Sequence, residues 1–376
     1  MNKKTVYIVG AGFSMDFGAP SQSEIVKEIF KLKESYSILN KRVHKWVDLF
    51  DDFLINSLHL EEHCKEHYSL EDVYTPIDKC ISEGVSFREF SVNDLIKIRD
   101  IFNKLITLAV RNAISRENKN RDNLRKFAAH IVNLAKMRIE KESNDLVSII
   151  TTNWDIMLDN ELYRLIEENR ESLGILDYTC SFSSIHKNDK TIKSGQYVIG
   201  KGGYNVKLLK LHGSLNWLTC PRCSIIYVKF YRKWNGGFVS QDLSCWKCAN
   251  NYIEEKTTPT QLESKLIMPT YLKNINDGQL KTIWQNSGIE LAEASKVVFL
   301  GYSLPQADFE FKQLLSRMIR SDAKIETVLV ESDNPHNYKE HHKIKTAGFR
   351  YQSFFSKRDL TITYGGIDGY ISKLRV

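Results

Sequence analysis

The stretch that decides the fold is TVYIVGAGFSMDFGAPS at residues 5–21. Its first five residues, TVYIV, are rich in β-branched and aromatic side chains, which predicts a short buried strand. The small residues of Gly10-Ala11-Gly12 follow as a turn, and Ser21 with Glu24 three positions later forms a capping box that predicts the start of a helix. The chain therefore opens as a strand, a glycine turn and a helix.

Four further apolar runs repeat this pattern, and each ends in small or polar residues. They are LVSII at 146–150, VKLLKL at 206–211, VVFL at 297–300 and TVLV at 327–330. Strands that alternate with helices favour an α/β fold with a mostly parallel, doubly wound sheet. Because ligands bind beyond the carboxyl ends of such strands, the polar residues that follow them are predicted to meet at one site.

Length and composition exclude several classes of protein. A chain of 376 residues is long enough for about two to three domains, and 42% hydrophobic with 26% charged residues is an ordinary globular composition. No apolar run is long enough to span a membrane, and the N-terminus lacks the features of a signal peptide, so we expect a cytoplasmic protein without a membrane partner. The net charge of +7 permits direct nucleic-acid binding without requiring it, and that question stays open.

A long helical insertion is predicted between the first two strands. Within residues 31–144 apolar residues recur at helical spacing, and Pro76 is the only proline. This insertion could cover the ligand cleft, form a homo-oligomer interface or dock a partner protein. The predicted domains are then a sheet domain made of residues 1–30, 145–218 and 259–376, the insertion at 31–144, and a cysteine module at 219–258.

Four of the seven cysteines form two C-x-x-C pairs, Cys220 with Cys223 and Cys245 with Cys248. In a chain without a secretion signal, such pairs indicate thiolate metal binding rather than disulfides. Two pairs on separate turns can converge on one tetrahedral zinc ion, and four thiolates leave no open coordination position. The pattern therefore predicts a structural Zn²⁺ in a small ribbon.

The glycine turn alone is weak evidence for a dinucleotide site. Small residues let the backbone approach a pyrophosphate at a helix N-terminus. However, Met15 stands where the third glycine of G-x-G-x-x-G would be, and no strand ending in an acidic residue follows about 20 residues later. The turn is equally compatible with a tight strand-to-helix connection.

Five motifs in this order resemble the sirtuin family. They are GAGFSMDFGAPS at 10–21, TTNWD at 151–155, LHGS at 211–214, the four cysteines, and GYSL at 301–304. The bacterial sirtuin-like branch is more similar than the protein deacetylases, and the deacetylase pattern does not cover the insertion. The resemblance implies a Rossmann-like NAD-binding domain with a smaller zinc-bearing lobe.

The resemblance also implies roles for individual residues. His212 matches the family's catalytic histidine, Asn153 would orient the ribose or the attacking water, and Asp155 would bind the nicotinamide carboxamide. The other NAD contacts that it implies are Gly10, Ala11, Gly12, Ser14, Asp16, Pro20, Thr152, Gly301, Ser303, Leu304 and Glu331. Asp308, which follows GYSL, is predicted to cap the next helix, with ligand contact as the alternative.

Departures from the deacetylase pattern bear on the reaction. Pro20 is followed by Ser-Gln-Ser rather than by an aromatic residue and an arginine, and Thr152 replaces the usual glutamine. An acyl-peptide clamp is not recognisable in LIMPTYL at residues 266–272. We therefore predict an NAD⁺ hydrolase that releases nicotinamide and ADP-ribose. An NAD-dependent protein deacylase and a non-catalytic NAD sensor are the alternatives.

The resemblance further implies a cellular setting. Sirtuin-like proteins of this branch act in bacterial anti-phage defence, where they deplete NAD⁺ when activated. We accordingly expect a homo-oligomer and a partner such as a HerA-type ATPase or an Argonaute-like protein.

Overall fold

The computed structural model describes residues 4–36, 40–116, 119–140, 145–169, 173–195, 202–231, 243–255, 260–268 and 278–374. Its strands are β1 Thr5–Val9, β2 Val147–Thr151, β3 Gly174–Asp177, β4 Phe182–Ser184, β5 Tyr204–Lys210, β6 Gly213–Thr219, β7 Ile226–Val228, β8 Glu263–Leu266, β9 Lys296–Leu300, β10 Lys324–Val328 and β11 Leu360–Thr363. They form one sheet of seven strands and one of four.

Helices connect and cover these strands. They are α1 Ala11–Met15, α2 Ile25–Phe30, α3 Leu32–Ser35, α4 Lys41–Asp52, α5 Leu70–Glu83, α6 Val92–Arg116, α7 Asp122–Glu140, α8 Met157–Glu168, α9 Trp246–Asn251, α10 Gly278–Glu293, α11 Phe309–Met318, α12 Glu340–Lys343, α13 Ala347–Phe354 and α14 Gly366–Ile371. Short 3₁₀ turns include Gln22–Glu24, Glu62–His67 and Glu331–Asp333. No helix in these described ranges is long and apolar enough to cross a membrane.

The large sheet has the order β11-β10-β9-β1-β2-β5-β3, and its strands pair in parallel throughout. The predicted mostly parallel α/β sheet is confirmed. β1 lies in the middle, where Val9 is in register with Thr151 of β2 on one side and with Leu300 of β9 on the other. The strand order reverses direction at β1, so the loops after β1, β2 and β9 border a crevice at the carboxyl edge of the sheet.

The central strands are apolar because helices cover both of their faces. Every residue of β2 is buried, as are Val6 to Val9 of β1. The long segment between β1 and β2 is helical in its described parts, α3 to α7. Its last helix, α7, packs on the sheet, where Phe127 contacts the ring of Tyr7 with centroids 5.3 Å apart. α7 is thus the crossover helix that a parallel β1–β2 pair requires.

The other helices of this segment share the core of the sheet domain. Buried residues of α4, α5 and α6 belong to the same hydrophobic cluster as the strands. The predicted insertion therefore packs directly on the sheet domain through a continuous core. Residues 37–39, 117–118 and 141–144 of the predicted insertion lie outside the described residues.

The small sheet has the order β4-β7-β6-β8. β6 pairs antiparallel with β7 and β8, and β4 pairs in parallel with β7. The sheet draws in β4 and most of β6, together with β8, from outside the predicted cysteine module at 219–258. Because β6 begins at Gly213, the small sheet starts immediately after His212. Residues 232–242 and 256–258 of the module lie outside the described part of the chain.

Candidate active site

The loops that leave β1 and β9 lie directly against each other. Gly10 N–H donates to Leu300 O at 3.0 Å, and Gly12 N–H donates to Gly301 O at 2.9 Å. Gly301 has a φ of +60°, and a Cβ on it would lie 2.1 Å from the Phe13 nitrogen. These glycines are therefore needed for the close approach of two loops. The Gly12 N–H is already engaged with the protein, so this tight connection does not depend on a pyrophosphate.

Asn153 ties the loop after β2 to the loop after β1. Its Nδ2 donates to Gly10 O at 2.9 Å and to Ser14 Oγ at 3.0 Å. Thr151 adds a second tie, since its Oγ1 donates to Val9 O at 2.8 Å and accepts from Asn153 N–H at 3.1 Å. The half-buried Asn153 side chain is thereby held in a fixed position at the carboxyl edge of the sheet.

Asp155 lies buried at the start of α8, where its Oδ1 accepts from Met157 N–H at 3.1 Å. Burial raises the pKa of this carboxyl group, although the nearby Lys210 ammonium opposes the rise. Lys210, at the end of β5, donates to the Asp155 backbone O at 2.6 Å and pairs with Asp159 at 2.9 Å. The buried Lys210 ammonium therefore holds the backbone of this loop in place. Desolvation makes the charged form of the Asp155 carboxyl group less favourable.

His212 follows β5 directly and is only 5% exposed. Its carbonyl accepts from Ile267 N–H at 2.9 Å, which fixes the turn into the small sheet. The His212 Nε2 lies 3.7 Å from Oδ1 of Asp308, which is itself 6% exposed. The second Asp308 oxygen accepts from the Tyr302 hydroxyl at 2.8 Å. Asp308 is the N-cap residue of α11, as predicted, but its side chain makes no capping hydrogen bond with that helix.

These loops enclose a cleft with a volume of about 590 Å³, a size typical of small-molecule sites. Eleven of the predicted site residues line it: Ala11, Gly12, Ser14, Asp16, Pro20, Thr152, Asn153, Asp155, His212, Gly301 and Ser303. Sequence reasoning missed other lining residues, among them Tyr302, Pro305, Val330 and Asp333. Most of the predicted site residues therefore line one cavity.

Three predicted contacts do not line the cleft. Gly10 is buried, and its carbonyl accepts from Asn153 Nδ2. Leu304 has a φ of +53° and is 2% exposed, with its side chain in the hydrophobic core. Glu331 is exposed on a 3₁₀ turn and accepts from Asn337 at 3.0 Å. The positions beside Glu331 that do line the cleft are Val330 and Asp333.

The helical segment supplies one wall of the same cleft. His67, Tyr68, Ser69, Leu70 and Glu71, at the start of α5, line it. Gln22, from the loop after α1, donates to the Glu71 carboxylate. Burial raises the pKa of Glu71. Of the three roles considered for the insertion, covering the cleft is the one to which these residues contribute.

The cleft wall carries carboxyl groups rather than cations. Asp16, Glu71, Asp155, Asp308 and Asp333 line it, whereas no lysine or arginine is among the described lining residues. Carboxylates accept hydrogen bonds from sugar hydroxyls and attract a cationic ring. A phosphate group in this cleft would depend on backbone N–H and hydroxyl donors.

The four paired cysteines form a compact cluster. The Sγ atoms of Cys220 and Cys248 are 3.7 Å apart, as are those of Cys223 and Cys245, and all four lie within 4.8 Å of one another. These distances exceed a disulfide bond of about 2.05 Å. They match the edge of about 3.8 Å that a tetrahedron has when its Zn–S bonds are about 2.3 Å long. The cluster fits a structural zinc ion.

The surroundings of one cysteine of the cluster, Cys245, favour its thiolate. Burial would raise the pKa of Cys245, but hydrogen bonds from the Tyr227 hydroxyl at 2.9 Å and from the Cys248 N–H at 3.4 Å outweigh it and lower the pKa to about 7. None of the four cysteines is among the described residues that line the cleft. The predicted structural role of the metal agrees with this separation.

Comparison with known proteins gives structural neighbours only. No family model matches the chain, and no curated protein matches it. The structural neighbours are Sir2 homologues. A Sir2 homologue in complex with NAD is 12% identical, with a TM-score of 0.42 over 99% of this chain and 87% of that one. A mutant Sir2 homologue with 2′-O-acetyl ADP-ribose is 12% identical, with a TM-score of 0.41 over 99% and 90%. Because these TM-scores are below 0.5, the description of the fold rests on the strand order and strand pairing of this chain and not on the neighbours.

Proposed function

We propose that the protein hydrolyses NAD⁺ to nicotinamide and ADP-ribose. The observation that carries the proposal is the convergence of Asn153, Asp155 and His212 on one cleft at the point where the strand order reverses. The five sirtuin-like motifs lead to the same substrate.

The chemistry suits the groups in the cleft. The bond between C1′ of the ribose and the nicotinamide nitrogen breaks, and its electron pair stays on nicotinamide, which leaves as a neutral molecule without a general acid. Positive charge develops on the ribose, and the carboxylates that line the cleft stabilise it. The oxygen of a water molecule forms the new bond to C1′, and His212 takes one of its protons.

The binding roles follow from position. Asp155 would accept from the carboxamide at the buried end, and Asn153 would hold the ribose through the oxygen of its amide. Because no lysine or arginine lines the described cleft, the diphosphate would bind backbone N–H groups and the hydroxyl of Ser303. Gly12 would leave space for the ligand rather than donate a hydrogen bond to it, since its N–H donates to Gly301 O.

Incubation of the protein with NAD⁺ and no acyl peptide, both by itself and together with the expected partner, tests the proposal. Once the protein is activated, we expect nicotinamide and ADP-ribose to be released without any acyl peptide. His212→Ala should lower the rate by about 10²–10⁴-fold, because a proton acceptor is lost. His341→Ala, at an exposed histidine on α12, is the matched control and should keep the parent rate.

Two other outcomes would contradict the proposal. NAD⁺ loss that requires an acyl-lysine peptide would identify a deacylase. Tight NAD⁺ binding without turnover, even with the expected partner present, would identify a sensor. We further propose that turnover is held off until a trigger arrives, because unrestrained NAD⁺ loss would kill the host cell. The anti-phage role, the homo-oligomer and the HerA-type or Argonaute-like partner stay predictions.

A further inference from the structure

Asp308 is a buried carboxylate whose two oxygens have different surroundings. Oδ2 accepts from the Tyr302 hydroxyl at 2.8 Å, whereas Oδ1 lies 3.7 Å from Nε2 of His212. Both Asp308 and His212 line the cleft. A carboxylate that served only to start α11 would accept a backbone N–H of that helix, and Asp308 makes no such bond.

The anchor of Asp308 is rigid. Tyr302 is 3% exposed, and its carbonyl accepts from the Tyr351 hydroxyl at 2.7 Å. Its ring packs edge-on against Phe311, with centroids 5.6 Å apart. Since Oδ2 is held by this buried phenol, Oδ1 keeps a fixed position relative to the imidazole.

The gap between Oδ1 and Nε2 suits a shared hydrogen-bond donor. A separation of 3.7 Å is too long for a strong direct hydrogen bond, yet one oxygen atom can lie within about 2.8 Å of both atoms. Water has two O–H donors, so a single molecule can donate to neutral His212 and to Asp308 at the same time. A lone pair of that water then points away from both acceptors.

We propose that Asp308 and His212 together hold the attacking water, an inference that rests on the proposed NAD⁺ hydrolysis. The water oxygen bonds to C1′ as the C1′–nicotinamide bond breaks and its electron pair leaves with nicotinamide. One water proton passes to His212. The other remains on the new hydroxyl group of ADP-ribose, where it is hydrogen-bonded to Asp308. Asp308 stays ionised throughout and serves as the second acceptor.

Competition between water and methanol tests this role. Methanol has a single O–H, so it cannot bond both acceptors, and the wild-type site should favour water. Asp308→Asn should lower total nicotinamide release by about 10²-fold, because the nucleophile is no longer oriented. It should also raise the ratio of methyl ADP-ribose to ADP-ribose several-fold, because water loses a bond that methanol never made.

The control separates this role from general disruption. Asp322→Asn makes the same chemical change at an exposed aspartate that is not among the described residues lining the cleft, so the product ratio should stay close to that of the wild type. Thermal unfolding and zinc content verify that each variant folds. An unchanged product ratio in a folded Asp308→Asn protein would overturn the proposal.

Two further results are informative. If a folded Asp308→Asn protein releases too little nicotinamide for a product ratio to be measured, Asp308→Ala with added formate replaces the missing carboxylate. Restored hydrolysis would support the role, and a folded variant that formate cannot rescue would overturn it. If the wild type consumes no NAD⁺ under any condition, hydrolysis itself is wrong and this role falls with it. If the wild type is active but Asp308→Asn does not change the product ratio, the proposed NAD⁺ hydrolysis stands and only the role of Asp308 is wrong.

Discussion

The cysteine cluster and the cleft bring side chains together in different ways. The cluster draws on two short segments, Cys220–Cys223 between β6 and β7 and Cys245–Cys248 at the start of α9. The cleft draws on residues that follow six different strands of the large sheet, β1, β2, β5, β9, β10 and β11. Spacing along the chain is enough to define the first site, whereas the second exists only because parallel strands place their carboxyl ends at one edge. A substitution in the cysteine cluster should therefore disrupt only the small sheet around it. The cleft, in contrast, should be disrupted by changes that affect the large sheet.

Removing one thiolate should give the largest effect. Cys220→Ser leaves three ligands, and we expect bound zinc to fall from one ion per chain to nearly none. Structural zinc contributes about 10–16 kcal/mol of apparent binding energy in small modules, and this energy stabilises their folding. Measurement of metal content together with thermal unfolding checks the expectation. The small sheet should unfold first, while the seven-stranded sheet persists.

Cys80→Ser is the matched control, since Cys80 is half-buried on α5 and outside the cluster. It should keep the zinc. If Cys220→Ser retained a full complement of zinc, the four-cysteine centre would be wrong. Unfolding of both sheets in a single transition would contradict the contrast between a local site and a convergent one.

The second prediction concerns the buried ion pair between the two regions. Lys210 and Asp159 are almost fully buried, and the Tyr178 hydroxyl also donates to Asp159 at 2.6 Å. Lys210→Met leaves the Asp159 charge buried without its cation, which should lower the free energy of unfolding by about 3–5 kcal/mol. Urea denaturation measures this loss. Activity should also fall, because Lys210 supports the Asp155 backbone.

The double variant Lys210→Met with Asp159→Asn sharpens this test. Removing both charges leaves no unpaired ion, so the double variant should be more stable than Lys210→Met alone. A double variant that lost the sum of both single effects would show that packing, rather than charge, accounts for the loss.

The sheet and the cysteine site could be predicted because their signals are local. Buried parallel strands appear as short apolar runs, and C-x-x-C spacing fixes the ligand geometry. The carboxyl-edge rule then brought Asn153, Asp155 and His212 to one cleft. For Asp308 the sequence favoured a capping role over ligand contact, because an aspartate before a helix is typical of a cap, yet Asp308 lines the cleft. Its place in the loop after β9, at the same edge, was the signal that supported the alternative.

Other features depend on packing that no local pattern encodes. Residues 67–71 line the cleft only because the helices of their segment pack on the sheet domain. Leu304 turns into the core because its backbone adopts a left-handed φ, which a sequence match to GYSL does not reveal. The direction of a side chain at a loop is therefore the least predictable part of the site.

A glycine substitution tests the loop contact that the cleft needs. Gly301→Ala places a Cβ 2.1 Å from the Phe13 nitrogen and forces alanine to a φ of +60°. The backbone conformation alone should cost about 1–3 kcal/mol of stability, and the overlap adds to it. Gly369→Ala in α14 is the control, since nothing lies within 4 Å of its Cβ position. The control should be neutral or slightly stabilising in thermal unfolding. Equal losses in both variants would argue against the loop contact.

The smallest expected effect comes from Asp155. Its pKa is raised by burial, so between the unfolded and folded pKa values the native state binds more protons than the unfolded chain. The contribution of Asp155 to stability is therefore present below the unfolded pKa and is lost as pH rises through the folded pKa. Asp155→Asn cannot ionise, so its free energy of unfolding relative to wild type should rise with pH across that window and then level off. Urea denaturation at several pH values measures the difference, and a difference that is constant with pH would contradict it. NAD⁺ turnover should fall in the same variant, because the amide lacks the negative charge of the carboxylate that we propose to contact the carboxamide.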